Sequence, residues 1–341
     1  MTKATTSPTE QTMTGLMPSE QPRAHYDIYA ILEATQEMYF GEEVAVNVNL
    51  VEQVKVPRTI QGGTGFEELA KCYLSPTKRR GVERRILIWA PTRAGVLLGD
   101  LWKCGIPATC ARQECPICSV YGALQPQENI SLVGRITHSG GVAIQPLLPE
   151  VKQRAMHPSI MTRQQAGQER ITPVPYKREY NEPALIYPIY NHCFSLTEEE
   201  FSAAAYAFLN ALSRLGAGNP KGVRLAEGLL HTEGEPLLVV DQYLAPLGKR
   251  PTISPQETNP AIALQQFREA AFSVFEAPAT PKMEGEAESE PSPAKGLASD
   301  LSQPDSDQGS AFRRWIGDRA LHHLQAYSLA FTQRVLLSKE A

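Results

Sequence analysis

Four of the six cysteines in this 341-residue sequence, Cys104, Cys110, Cys115 and Cys118, fall within fifteen residues. Their spacing is Cys-x5-Cys-x4-Cys-x2-Cys, and the last pair, Cys115-Pro-Ile-Cys118, has the spacing of a zinc knuckle. In such a turn the backbone amides also point toward the thiolate sulfurs. Four thiolates placed tetrahedrally about 2.3 Å from Zn2+ would form a closed structural site with no open position for catalysis. The competing reading is a group of buried, reduced cysteines beside a helix. Bunching of this kind in a cytosolic chain favours a metal over disulfides. A thioredoxin-type redox role does not fit, because the expected strand-then-helix setting is missing.

The second chemical feature is basic. Lys78, Arg79, Arg80, Arg84 and Arg85 put five cations within eight residues. Such density suits a phosphate backbone, since each neutralised phosphate releases counterions, and arginine adds bidentate hydrogen bonding. A solvated surface loop would look the same. Arg93, Arg135, Arg163, Arg170, Lys177, Arg178, Arg214, Lys221 and Arg224 are scattered along the chain. The segment 216–222 (GAGNPKG) could bring backbone amides close to a phosphate, or be an ordinary turn. It lacks the GxxxxGK[ST] pattern of a nucleotide-hydrolysing loop. Catalytic patterns are missing. His138, His157, His192 and His231 are isolated, His322 and His323 lie on an expected helix, and no HExxH or GxSxG occurs.

The elements that must position these groups are partly legible. His25–Glu33 alternates as a half-buried strand does, and 43–56 (EVAVNVNLVEQVKV) alternates more clearly. Gln61–Gly65 reads as a Gly-rich turn and Phe66–Cys72 as a short helix. Ser75–Arg85 reads as a basic loop, Ile86–Trp89 as a strand and Ala94–Lys103 as a helix. Ile130–Ile136 and Val142–Leu148, split by Ser139-Gly140-Gly141, give a hairpin signal. Pro149–Glu182 has no clear period, and so long an irregular segment is functional or disordered. Leu185–Phe194 returns to strand character. Leu196–Leu215 gives the clearest helix, with Thr197 as N-cap, Glu198–Glu200 in the first turn and Gly216 past its end. Val223–Leu230 and Glu235–Gln242 read as closing strands, Pro260–Glu276 and Phe312–Leu337 as helices. The pattern is that of an α+β sheet domain.

Hydrophobic content of 42% and aromatic content of 7% are those of an ordinary globular protein. No apolar run approaches the roughly 20 residues a membrane span requires. The first 22 residues are polar, lack an apolar core and read as a disordered arm rather than a signal peptide, so a cytoplasmic location is expected. The formal charge is −4, but Ala277–Gly309 carries seven acidic residues against Lys282 and Lys295. That stretch contributes −5, reads as a disordered acidic linker, and leaves the remainder near +1. A near-neutral fold can bind RNA if its cations share one groove.

Taken in order, these pieces resemble the repeat-associated (RAMP) superfamily and, within it, the Cas-seven family of CRISPR backbone subunits. The resemblance rests on Ala90-Pro-Thr-Arg-Ala-Gly-Val-Leu-Leu-Gly-Asp-Leu-Trp-Lys103, then Cys115-Pro-Ile-Cys-Ser-Val-Tyr-Gly122, then Gly134-Arg135-Ile136. A variable segment follows, then Tyr187 through Arg224 with its long helix and Gly-rich turn. The CPxCxxYG piece is most similar to the subtype I-D backbone subunit, with a type IV subunit second.

The resemblance implies an RRM-like (ferredoxin-like) palm over 23–276. A cysteine-rich zinc or finger insertion would occupy about 56–125, and a β-hairpin thumb about 149–184. The acidic linker (277–309) and a C-terminal helix (310–341) have no counterpart in the family. It further implies a subunit that polymerises along a guide RNA (crRNA), contacts other effector subunits, and displays the guide for pairing with target DNA. Backbone contacts carry no sequence information, so any guide can be held. On this reading Lys78, Arg79, Arg80, Arg84 and Arg85 face guide phosphates, with Arg93 and Arg135 beneath the guide. Lys177 and Arg178 stand at the thumb, and Lys221 and Arg224 at the turn after the helix. The chain is expected to be non-catalytic. The alternatives are a filament subunit that also cuts single-stranded target at regular intervals, and a zinc-containing scaffold without an RNA role.

Overall fold

The alternation at Tyr26, Ile28, Ala30 and Leu32 sends these side chains to one face of a strand, because successive residues of extended backbone point to opposite sides. That strand, Arg23–Ala34, runs through a seven-stranded antiparallel sheet in a computed structural model of the protein. The structure describes residues 21–45, 48–59, 65–147, 150–156, 174–216, 222–244, 249–273, 301–307, 309 and 311–338. Across the sheet the order is Ser306–Asp307, Phe312–Ile316, Leu238–Tyr243, Arg23–Ala34, Ile186–Thr197 and Ile136–His138. Val223–Leu225 pairs with the end of Arg23–Ala34. The expected first strand, return strand and closing strands are all present, and the class is α+β.

Two apolar layers sandwich the sheet. Tyr26, Ile28, Ala30 and Leu32 face the larger core, shared with the helices Pro76–Ile88, Glu198–Ala211 and Asp318–Phe331. Tyr29 and Ile31 face a smaller cluster beneath the helix Pro260–Phe272, which contributes Ala263, Phe267 and Ala271. Helix Glu198–Ala211 starts where the sequence places it. Thr197 Oγ1 accepts from the Glu200 amide, and Glu200 in turn accepts from the Thr197 amide, a complete capping box.

Several local expectations are overturned. Phe66–Leu74 is a strand, not a helix, paired antiparallel with Gln53–Thr59. The basic stretch is neither loop nor strand but one helix, Pro76–Ile88, with proline in its first turn. Its buried stripe runs Arg79, Glu83, Leu87 at i, i+4, i+8, so a charged pair occupies positions where an apolar pattern would have revealed a helix. Of the helix expected over 94–103, only Leu98–Trp102 forms. The expected hairpin around Ser139-Gly140-Gly141 does not close on itself. Ile136–His138 pairs with Ile186–Thr197, whereas Gly141–Val142 pairs with Tyr73 and Leu74.

The irregular segment after Pro149 contains two antiparallel strands, Glu150–Met156 and Val174–Tyr180. The second also runs parallel to Val48–Val51. The expected arm lies outside the described residues except for 21 and 22. The Gly-rich turn at 61–65 does so except for 65, and most of the acidic linker does as well.

The C-terminal segment is not a single appended helix. Phe312–Ile316 is a strand of the central sheet, registered on Leu238–Tyr243. Gly317, at φ 61°, ends it before helix Asp318–Phe331. The end of the acidic stretch is also built in: Asp305 accepts from the Ile316 amide and from Arg319. Among the described residues no helix is long and apolar enough to cross a membrane.

His323 on that helix stacks on Trp315 with ring centroids 3.7 Å apart. Burial, reinforced by His322, pulls its pKa down to about 4 from an ordinary 6.5. The folded state therefore resists a proton that the unfolded chain accepts. Stability is full above about pH 6.5 and is lost as pH falls toward 4, by up to about 3 kcal/mol. His323→Phe keeps the ring contact, and its denaturation midpoint is expected to fall less steeply than that of the wild type across that window.

Candidate functional site

The cysteine cluster assembles as its spacing suggests. Lys103, in the left-handed region at φ 50°, ends the helix Leu98–Trp102 and turns the chain into Cys104. Ala111, at φ 49°, makes a second such turn next to Cys110. The four sulfurs all lie within 4.8 Å of one another, with Cys104 and Cys118 at 3.4 Å and Cys110 and Cys118 at 3.6 Å. Four sulfurs about 2.3 Å from one centre stand roughly 3.8 Å apart, so these separations are compatible with a tetrahedral site. It is far too wide for disulfides, whose sulfurs are about 2.05 Å apart. Hydrogen bonds from Cys115 and Cys118 hold the Cys104 thiol well below its usual range, and Cys115 is pushed up in consequence. A divalent cation would take all four as thiolates. The set fits structural zinc, leaving no ligand position free.

Cysteine-motif residues dock directly onto the basic helix. Tyr121 Oη donates to Glu83 at 3.0 Å, and Arg80 donates to the Tyr121 carbonyl. The Arg135 amide donates to Val120 O at 2.9 Å. Glycine is required at the crossing. A Cβ on Gly122, whose φ is 76°, would lie 2.5 Å from Gly134 N, and one on Gly134 would lie 2.8 Å from Tyr121 O. The three short motifs CPxCxxYG, GRI and the basic helix are therefore one packed unit.

The sequence-predicted cations do not all belong to it. Arg79 is 1% exposed. It donates to Ser139 O, Tyr190 O and Asn191 Oδ1 and lies 3.8 Å from Glu83. Burial pulls its guanidinium down to about 10. Burial would raise Glu83, but His138 at 2.7 Å and Arg79 outweigh it and hold the carboxyl below its usual range. Arg79 is thus a core residue, contrary to its expected place at phosphates.

Lys78 is ion-paired with Glu52, and Arg135 with Glu200 at 2.6 Å. Arg80 and Arg93 are exposed; Arg84 and Arg85 are half-buried on the basic helix. Two nitrogens of Arg84 are buried without a partner among the described residues. Arg224 pairs with Glu33 at 3.0 Å. Glu33 shares the sheet face of Tyr29 and Ile31, opposite the basic helix, so Arg224 and the helix cations do not line one trough. Lys177 and Arg178 sit on a strand beside Val48 and Asn49, and Lys221 lies outside the described residues.

What the structure does bring together is a cleft of about 350 Å³ at the sheet edge. It is lined by Pro76, Thr77, Arg80, Gly134, Ile136, Thr137 and His138. The first turn of the basic helix forms one wall. It has no acidic residue and no side-chain cap; Pro76 has no amide and the Arg79 amide donates to Ser75 O, so the Thr77 and Lys78 amides and the helix dipole are what this end offers an anion.

A second cluster, missed from sequence, occupies the sheet face opposite the basic helix. Asp27, 1% exposed, accepts from Tyr29 Oη at 2.7 Å and Tyr243 Oη at 3.2 Å, and His192 Nδ1 lies 2.7 Å away. Arg250 Nε stands 3.9 Å off. Burial and the Asp27 charge push the Tyr243 hydroxyl up to about 12. These groups come from four separate segments, and only strand register aligns them.

No protein-family model matches the sequence, and no curated protein does. Among solved structures, the crystal structure of Thermofilum pendens Csc2 is similar over 74% of this chain and 73% of that chain. The sequence identity is 14% and the TM-score 0.35, a superposition too loose to establish a shared family or function.

Proposed function

We propose that this protein is a non-catalytic guide-RNA-binding backbone subunit of a CRISPR effector complex, gripping the sugar-phosphate chain at the edge cleft. The observation that carries this reading is the packing of two resemblance-bearing motifs, CPxCxxYG and GRI, against the basic helix beside that cleft. A zinc-stabilised Cys104–Tyr121 segment would brace Arg80 and Gly134. The uncapped helix end and Arg80 would hold consecutive phosphates, and Arg84, Arg85 and Arg135 would add positive potential nearby. The strands Glu150–Met156 and Val174–Tyr180 would serve as the thumb, carrying Lys177 and Arg178. Copies would stack head to tail, since a heterologous interface that does not close gives a filament.

The test uses single-stranded RNAs of unrelated sequence and a salt titration. The double variant Arg80→Glu, Arg85→Glu is expected to bind all of them at least tenfold more weakly. The slope of log affinity against log salt should become shallower by roughly one for each lost contact. Unchanged affinity and slope would remove the cleft from the reading. Incubation of the assembled complex with labelled target and Mg2+ is expected to leave the target intact; evenly spaced fragments would instead support the cutting alternative.

A further inference from the structure

Among the described residues, the helix Pro260–Phe272 packs on only part of its face of the sheet. Its end is clamped by Arg314, which makes a two-bond pair with Asp241, at 2.7 Å for each bond, and donates to the carbonyls of Ala270, Ala271 and Ser273. Beyond this clamp the face carries rings. Tyr190, His192 and Phe194 follow one another at alternate positions of one strand, and His25 and Tyr243 lie on the next two. Phe194 and His25 have centroids 4.9 Å apart, His25 and Tyr243 5.2 Å, and Tyr190 and His192 4.4 Å.

Phe194 is 67% exposed although it sits in a twelve-residue strand. The cause is a bulge: Phe194 and Ser195 together oppose His25, and Ser195 takes a left-handed φ of 51°. Bulges re-aim side chains and break the regular ladder. Here the bulge leaves a large apolar ring on the surface beside half-buried His25 and Tyr243. The buried Asp27 carboxylate holds Tyr29, His192 and Tyr243 from beneath, so those three rings are preorganised.

Cations flank the rings. Arg250 and Lys249 are exposed at one side, and Arg23 and Arg135 converge on Glu200 at the other. A cleft of about 340 Å³ opens beside Tyr190, walled by Ile144, Pro188, Pro251 and Ile253. Thr137, which lines the edge cleft, is paired directly with His192, so the ring face lies one strand away from that cleft.

We infer that this half-sheet, uncovered among the described residues, is a stacking platform for unpaired nucleobases of single-stranded RNA, with Phe194 as its outermost ring. Aromatic faces beside guanidinium groups stack bases with little regard to sequence, as a subunit that must accept any guide requires. The inference rests on the RNA-binding reading above and deepens it: the edge cleft holds phosphates, and the platform holds bases that have left the stack.

The experiment compares oligoribonucleotides of equal length with and without abasic positions, against the wild type and Phe194→Ala. Phe194 is largely exposed, so its truncation spares the core, and an unchanged melting temperature checks this. On the intact RNA, Phe194→Ala is expected to weaken binding on the order of tenfold with the salt slope unchanged. On the abasic RNA the two proteins should bind alike. A 2-aminopurine reporter should lose fluorescence on binding the wild type and lose less on binding the variant.

Equal binding of both RNAs by both proteins would overturn the platform and leave the phosphate cleft standing. Failure of the wild type to bind either RNA would overturn the RNA reading and the platform together. If Phe194→Ala changed only self-association, the rings would be a protein contact, and the inference would fail.

Discussion

Arg79→Ala is expected to destabilise the protein by about 3–5 kcal/mol, the cost typical of leaving one member of a buried ion pair without its partner. Glu83 would keep His138, Tyr121 and Asn191 as partners but lose its only fully buried permanent cation among the described residues. The carbonyls of Ser139 and Tyr190 would lose a donor in the same step. Urea denaturation measures the effect as a lower midpoint. Its control is Arg80→Ala one residue on, an exposed position where losing the bond to the Tyr121 carbonyl should cost no more than about 1.5 kcal/mol of stability. A double-mutant cycle with Glu83→Gln should return a coupling energy of about 1–3 kcal/mol, because the two residues share one network. If Arg79→Ala matched Arg80→Ala in stability and instead lost RNA affinity, the burial argument would be wrong. Arg79 would then return to the phosphate-binding set.

The cysteine cluster should show a comparably large response. The purified protein is expected to carry a single zinc ion per chain by atomic emission. Cys118→Ser should lose it, together with at least about 3 kcal/mol of stability, since binding energy at a structural zinc site is folding energy. The physical reason is local. Cys118 opens the short helix whose Tyr121 and Gly122 dock on Glu83 and Gly134, so releasing the sulfur releases that docking. Chelation of the wild type should reproduce the variant, and added zinc should restore the chelated protein but not Cys118→Ser. Metal-free protein of unaltered stability would mean four reduced core thiols and no more.

Features set by neighbouring residues were legible in the sequence. The Thr197 N-cap, the alternation in the first strand and the proline-started helix at Pro260 each express a local rule. So does the bunching of Cys104, Cys110, Cys115 and Cys118. Features set by distant residues were not. The helix carrying Arg79 showed no amphipathic period, because its inward positions hold a charged pair satisfied by residues 139 and 190–191. Phe312–Ile316 read as helix, because strand character there depends on the partner Leu238–Tyr243.

The sequence alone therefore determined the class, the cysteine cluster and the order of the motifs, all of which depend on residue type and short spacing. Only the tertiary structure decided which cations are available to a ligand, since burial is a property of the packed chain. Arg79 and Arg80 are chemically the same and adjacent, yet a helix turns one into the core and leaves the other at the cleft. The ring-bearing face was likewise invisible along the chain. Asp27, His192, Tyr243 and Arg250 become neighbours only when antiparallel register brings three strands and a loop together.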